Sequence, residues 1–245
     1  MPVKNFTLFV FLLLSLQLPA QKAHTEQRKY TSRIHPQSSK EHFIQMWYTA
    51  DGKMKNAVTV TTSVEMLPLN NKPAWAFIQH YHTEKNIDSD TTFFDEKSLQ
   101  PLAYFTNLPS EGYREIVSFE KEAILVQVLY KDSVAVKKYH QAGNYIQATL
   151  LSYFIAKLPL KKGYSTSLRH INAGLHYTDL VSDITVLGKE NIAVTEKLQI
   201  PCWKIEVTTG GAKTIQWLTV QDQSLLKLEF GNPQKMLFKK MRILW

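Results

Sequence analysis

A chain of 245 residues with 44% apolar side chains is long enough to build a real core, as one large β domain or two small ones. Its 29 lysines and arginines outnumber 21 acidic residues, but the surplus is thinly spread, in KK pairs at 137–138, 161–162 and 239–240. That pattern is only weak support for nucleic acid, which is not expected as a partner of an exported chain, and it fits a generic attraction to anionic lipid headgroups, with peripheral membrane contact, or to cell-wall polymers. The single cysteine, Cys202, excludes an intramolecular disulfide, so stability rests on the core.

Residues 1–20, MPVKNFTLFVFLLLSLQLPA, place one lysine before an apolar run that ends at a proline and an alanine. The run is well short of the roughly 20 residues of a spanning helix. It reads as a signal peptide cleaved near Gln21, which predicts export to the periplasm or the exterior. No cysteine follows the run, so no lipoprotein acylation site is expected. Residues 21–40 are polar and aperiodic, a flexible lead-in. Residues 41–245 contain neither a repeat nor a linker and are expected to form a single β-rich domain.

From there the signal is period-2 alternation between turn residues. NAVTVTTSVEM, after a turn at Asp51-Gly52, puts Val58, Val60, Thr62 and Val64 on one face. AWAFIQHYH puts Trp75, Phe77, Gln79 and Tyr81 on one face and Ala76, Ile78, His80 and His82 on the other. EIVSFEKEAILVQVLYKDSVAVKKY divides at Glu120-Lys121 and Lys131-Asp132 into two or three strands. In NYIQATLLSYFIAKLPL the spacing changes: Ile146, Leu150, Leu151, Phe154, Ile155 and Leu158 recur with helical period, and Pro159 stops them. A helix of about three turns over 145–158 is predicted, its apolar face covering a sheet. Strand signals resume in YSTSLRHI, DITVLGKENIAV, CWKIEV, TIQWLTV, SLLKLEF and MLFKKMRIL, with Gly210-Gly211 as a hairpin turn. CWKIEV points Trp203, Ile205 and Val207 inward and Cys202, Lys204 and Glu206 outward. The expected fold is mainly β: a curved antiparallel sheet, an unclosed half-barrel, with one main covering helix.

Several of these pieces taken together, DSDTTFFDEKSLQPL, LSYFIAKLPLKKG, TVLGKENI and CWKIEV running through QWLTVQDQSLLKLEF, resemble domain-of-unknown-function family 3108 over about residues 88–230. The resemblance implies a relative of the lipoprotein-carrier and lipoprotein-sorting proteins of the bacterial envelope. Their strongly curved open sheet has helices plugging the concave side, where acyl chains bind. The family has no agreed activity, so the resemblance implies a fold more than a function.

Candidate chemistry is sparse. Cys202 lies in a strand with no histidine tied to it, and reads as a small packed residue rather than a nucleophile. His80 and His82 form an H-x-H that could hold zinc together with Glu84, Asp88 or Asp90, although two histidines near a turn are more often plain surface residues. Asp88, Asp90, Asp95 and Glu96 cluster, but such clusters usually make turns. The D-T-G, G-x-S-x-G and phosphate-loop signatures are absent. No catalytic residue, metal or cofactor is therefore assigned. The aromatics, with Trp47 among them, say more, because they line one sheet face. Trp75, Phe77, Tyr81, Phe119, Leu150, Phe154, Trp203, Ile205 and Trp217 are the candidate concave-face ligand residues. They build either a solid core or a hydrophobic cavity. A cavity favours binding of a lipid or lipoprotein, and a solid core favours a structural or interaction module. A polar cleft with converging carboxylates would favour an envelope-polymer hydrolase.

Overall fold

The computed structural model describes residues 36–49, 51–141, 143–174, 176–231 and 237–244. The expected signal peptide and most of the lead-in lie outside the described residues, and the first strand begins within the lead-in's last two residues. The strands are β1 (Ser39–Tyr48), β2 (Met54–Leu69), β3 (Lys72–His82), β4 (Ile87–Phe94), β5 (Pro101–Leu108), β6 (Tyr113–Phe119), β7 (Ala123–Tyr130) and β8 (Val134–His140). Then come β9 (Ile146–Gln147), which opens a crossover, and β10 (Ser165–Asn172), β11 (Thr178–Ala193), β12 (Gln199–Thr209), β13 (Ala212–Thr219), β14 (Leu225–Phe230) and β15 (Leu237–Arg242).

They form one sheet in the order β8-β7-β6-β5-β4-β3-β2-β1-β15-β14-β13-β12-β11-β10-β9. Neighbours pair antiparallel except β9 and β10, which are parallel. The last strand is the keystone: β15 pairs with both β1 and β14, joining the first eight strands to the C-terminal meander. At Gly210-Gly211 both residues have positive φ, 54° and 82°, as a type I′ hairpin turn requires, so glycine suits both positions.

Right-handed twist accumulated over so many strands curls the sheet into a half-barrel. Its two ends meet through side chains with no ladder between them. Val117, Ile124, Val126 and Val128 of β6 and β7 pack against Tyr145, Ile171 and Ala173 from the other end. Tyr139 of β8 stacks on Tyr177 with ring centroids 4.5 Å apart. The main core lies under the crossover, where Leu150, Phe154, Ile155 and Leu158 meet Val64, Phe94, Leu168, Ile184, Ile205 and Leu218.

The crossover departs from the predicted three-turn helix. It consists of the strand β9, a 3-10 turn at Ala148–Leu150 and a five-residue helix, α1 (Leu151–Ile155). Neither helical piece has a side-chain N-cap, an acidic first turn or a basic last turn. Thr149, Ser152, Tyr153 and Ile155 are all middling helix formers, so local propensity does not extend the helix. The apolar stripe is as expected: Ile146, Leu150, Phe154, Ile155 and Leu158 are buried. Tertiary burial, rather than intrinsic helicity, holds this segment in place.

Candidate functional site

The second face of the crossover reaches the core only at its edge, through Tyr153 and Ala156. Ala148, Thr149, Ser152, Tyr153, Ala156 and Lys157 instead form one wall of a cavity of about 610 Å³ between the crossover and the concave sheet surface. β1, β2, β3, β14 and β15 supply the other walls. Apolar surface comes from Phe43, Phe77, Leu225, Leu228 and Phe238, together with the Tyr153 ring. Tyr153 sits 6.2 Å from Phe77 between ring centroids and 6.1 Å from Phe94, which fixes its position at the seam of core and cavity. Thr149 Oγ1 and Thr92 Oγ1, 2.7 Å apart, tie the crossover to β4.

Polar groups converge on the same space. Glu41, Gln45, Gln79, Tyr81, Lys240 and Arg242 line it. Lys240 stands opposite Gln45 on β1 and Leu228 on β14, so ladder register turns it inward. Its ammonium lies 4.5 Å from the centre of the Phe43 ring, within cation–π range. Burial lowers its pKa to about 8, against a counteracting pull from Asp90 and Glu41. Arg242 is already paired: Nη1 is 3.2 Å from Glu41 Oε1 and 3.9 Å from Asp222 Oδ2, and it donates to Ser224 Oγ. Desolvation raises the Glu41 pKa despite that arginine. Behind Tyr81 lies Asp90, whose Oδ2 accepts from the Tyr81 hydroxyl at 3.2 Å. Asp90 is 8% exposed, its Oδ1 has no hydrogen-bond partner, and burial raises its pKa to about 7.

The concave-face candidates fall into four groups. Phe77 and Tyr81 line the cavity. Leu150, Phe154 and Ile205 are sealed in the main core, with Trp75 and Trp203 packed against it, and Phe119 belongs to the cluster where the sheet ends meet. Trp217 is misplaced: it pairs with Lys204, so it shares the convex face and packs there with Cys202, Ile192 and Leu226. Its indole donates to Glu190 Oε2 at 3.0 Å, and Lys227 lies 4.4 Å over its ring.

The cavity residues that the sequence reading did not assign include Phe43, Glu41, Gln45, Tyr153, Lys240 and Arg242. The available signal was the alternation in FKKMR, which puts Phe238, Lys240 and Arg242 on one face.

The other constellations separate. His80 and His82 are on the convex face, whereas Asp88 pairs with Tyr81 and Asp90 with Gln79 on the concave face, so they cannot share a metal. Among the described residues no group of three His, Cys, Asp or Glu is placed to hold one. The carboxylates of 88–96 diverge. Asp88 accepts from Ser110, Asp90 faces inward, and Asp95 accepts from the backbone of Lys97 and Ser98 in a turn. Cys202 is fully buried, and burial followed by the nearby Glu190 raises its thiol to about 11. Almost none of it is thiolate at neutral pH. Lys204, its neighbour on that face, is engaged by Glu190 at 3.0 Å.

The profile of the family described as "Protein of unknown function (DUF3108)" matches residues 44–238. The chain belongs to this family. Its match takes in β2 to β14 whole and the second half of β1, the bulk of the cavity wall. No curated protein matches the chain. Among solved structures it is similar to a β-barrel-like protein of domain of unknown function DUF1849 from Brucella abortus. The two share 8% identity over 86% of this chain and 97% of that one, with a TM-score of 0.48. A protein with a YmcC-like fold from Bacteroides fragilis is 11% identical over 85% and 96%, with a TM-score of 0.34.

Proposed function

We propose that this DUF3108 protein is an exported, non-catalytic binding protein of the cell envelope that takes a hydrophobic or amphipathic component, a lipid or the acyl part of a lipoprotein, into the cavity beneath the crossover. The observation that carries the reading is the roughly 610 Å³ space walled by Phe43, Phe77, Tyr153, Leu225, Leu228 and Phe238. That volume lies within the roughly 300–1,000 Å³ of small-molecule sites, and such sites combine apolar walls with a few placed polar groups. The sealed core beside it supports the reading further, because the fold does not depend on the cavity being filled. Export rests on the apolar run in residues 1–20, and N-terminal sequencing of secreted material should begin near Gln21.

A neutral environment-sensitive dye, N-phenylnaphthylamine, tests the binding reading. It should bind the wild-type protein with a blue shift and gain in emission. Ala156→Phe, which projects a ring into the cavity, should abolish that signal while the far-UV spectrum stays unchanged. Undiminished binding to a folded Ala156→Phe variant would place the site elsewhere.

A further inference from the structure

The cavity holds a cation that makes no ion pair with any of the described residues. Lys239, the preceding residue, turns to the convex face and sits 3.3 Å from Glu229, and Arg242 is taken by Glu41 and Asp222. Lys240 makes no ion pair among the described residues. Asp90 and Glu41 act on it only at longer range, and the Phe43 ring lies 4.5 Å from its ammonium. A confined ammonium without a counter-ion is costly, and an incoming anion removes that cost. At the rim, Lys40 and Lys157 are exposed cations, and the rim carboxylate Asp222 is occupied by Arg242, Thr219 and Ser224. The entrance therefore favours an anion over a cation.

We propose that the ligand is an anionic amphiphile with a single acidic headgroup, a long-chain carboxylate or phosphate monoester, whose charged oxygens meet Lys240 while its chain lies against Phe43, Phe77 and Tyr153. This rests on the cavity being a hydrophobic-ligand site and adds the chemistry of the headgroup. An N⁺–H···O⁻ contact in a partly desolvated site is about twice as strong as a neutral hydrogen bond. The remaining charged and titratable groups facing the headgroup position are compatible with an anion. Glu41 and Asp222 share the Arg242 guanidinium, which offsets one of their two charges, and the Lys40 and Lys157 cations at the rim outweigh the other; Tyr81 keeps its proton because burial raises its pKa, and Asp90 sits near 7 and takes up a proton readily beside a second anion.

Dansylaminoundecanoic acid and its methyl ester separate headgroup from chain. The wild-type protein should bind the acid about tenfold or more tightly than the ester, as one charge-assisted contact implies. Lys240→Met should abolish that preference by weakening the acid and sparing the ester, and Lys240→Arg should keep it, with an unchanged far-UV spectrum and a cooperative melting transition showing that each variant folds. Displacement of the dansyl acid by palmitate or by dodecyl phosphate then tells which headgroup fits, and displacement by neither overturns the proposal. Equal binding of acid and ester to the wild type, or an acid preference that survives Lys240→Met, also overturns it and leaves the hydrophobic site standing. Failure of both probes to bind overturns the hydrophobic site as well.

Discussion

The crossover presents two faces with opposite energetic roles, and truncating adjacent residues separates them. Phe154 is fully buried in the main core, and Tyr153, next in sequence, is half-buried and lines the cavity. Removing the Phe154 ring forfeits about 1.5–3 kcal/mol of transfer free energy. A residual void of ~50–80 Å³, at about 24 cal/mol per Å³, adds about 1–2 kcal/mol. Phe154→Ala should therefore cost roughly 3–5 kcal/mol, as large core truncations do. Tyr153→Ala opens into space that already exists, so the void term largely vanishes and the cost should be roughly 1–2 kcal/mol. Urea unfolding followed by far-UV circular dichroism, with linear extrapolation and a check that the slope is unchanged, measures both. Dye affinity should fall for Tyr153→Ala and hold for Phe154→Ala. Equal costs for the two variants, with dye binding indifferent to Tyr153, would refute the two-faced arrangement.

Stability should depend on pH through Asp90. Its folded pKa, raised to about 7 from an ordinary 3.8, means the folded state holds a proton that the unfolded chain has released. Stability from this group is fully present below the unfolded value and declines as pH rises towards 7. Asp90→Asn should flatten that decline, leaving the variant the more stable protein at pH 8 and matching wild type near pH 3; urea titrations at the two pH values report it. Lys240 acts at the alkaline end: its lowered pKa makes its contribution rise between pH 8 and 10.5, and Lys240→Met should remove that rise in the same assay. Cys202 should react with Ellman's reagent only on unfolding, and Cys202→Ser should cost about 1 kcal/mol with no change in ligand binding. Trp217→Phe removes the convex-face hydrogen bond to Glu190 and should leave dye affinity within error, whereas Phe77→Ala should lower it.

The strands were legible because alternation is a local property. Val58, Val60, Thr62 and Val64 share a buried face as their spacing implies, and the turns at Asp51-Gly52 and Gly210-Gly211 fall where their chemistry puts them. Pairing partners are not local. Nothing in MLFKKMRIL says that this strand inserts between β1 and β14, and that insertion turns Lys240 and Arg242 into the cavity. The same limit explains Trp217. Its apolar ring suggested the concave side, but register opposite Lys204 puts it on the convex face, where a cluster with Cys202 buries it instead. The apolar stripe of the crossover was readable from its spacing. Its short helical length was not, because weak helix formers without caps take whatever conformation packing imposes. Asp90 was visible only as one of four clustered carboxylates, and its place on the concave face follows from its register opposite Gln79.

The central claim is that the space beneath the crossover holds an amphiphile in the living envelope. Native mass spectrometry of the protein purified from its own envelope without detergent tests this most directly. The account predicts a second, heavier species whose excess mass is released by organic extraction as an acidic single-headgroup lipid. The bare protein mass alone, from preparations that retain other lipid-binding proteins in their loaded form, would contradict it.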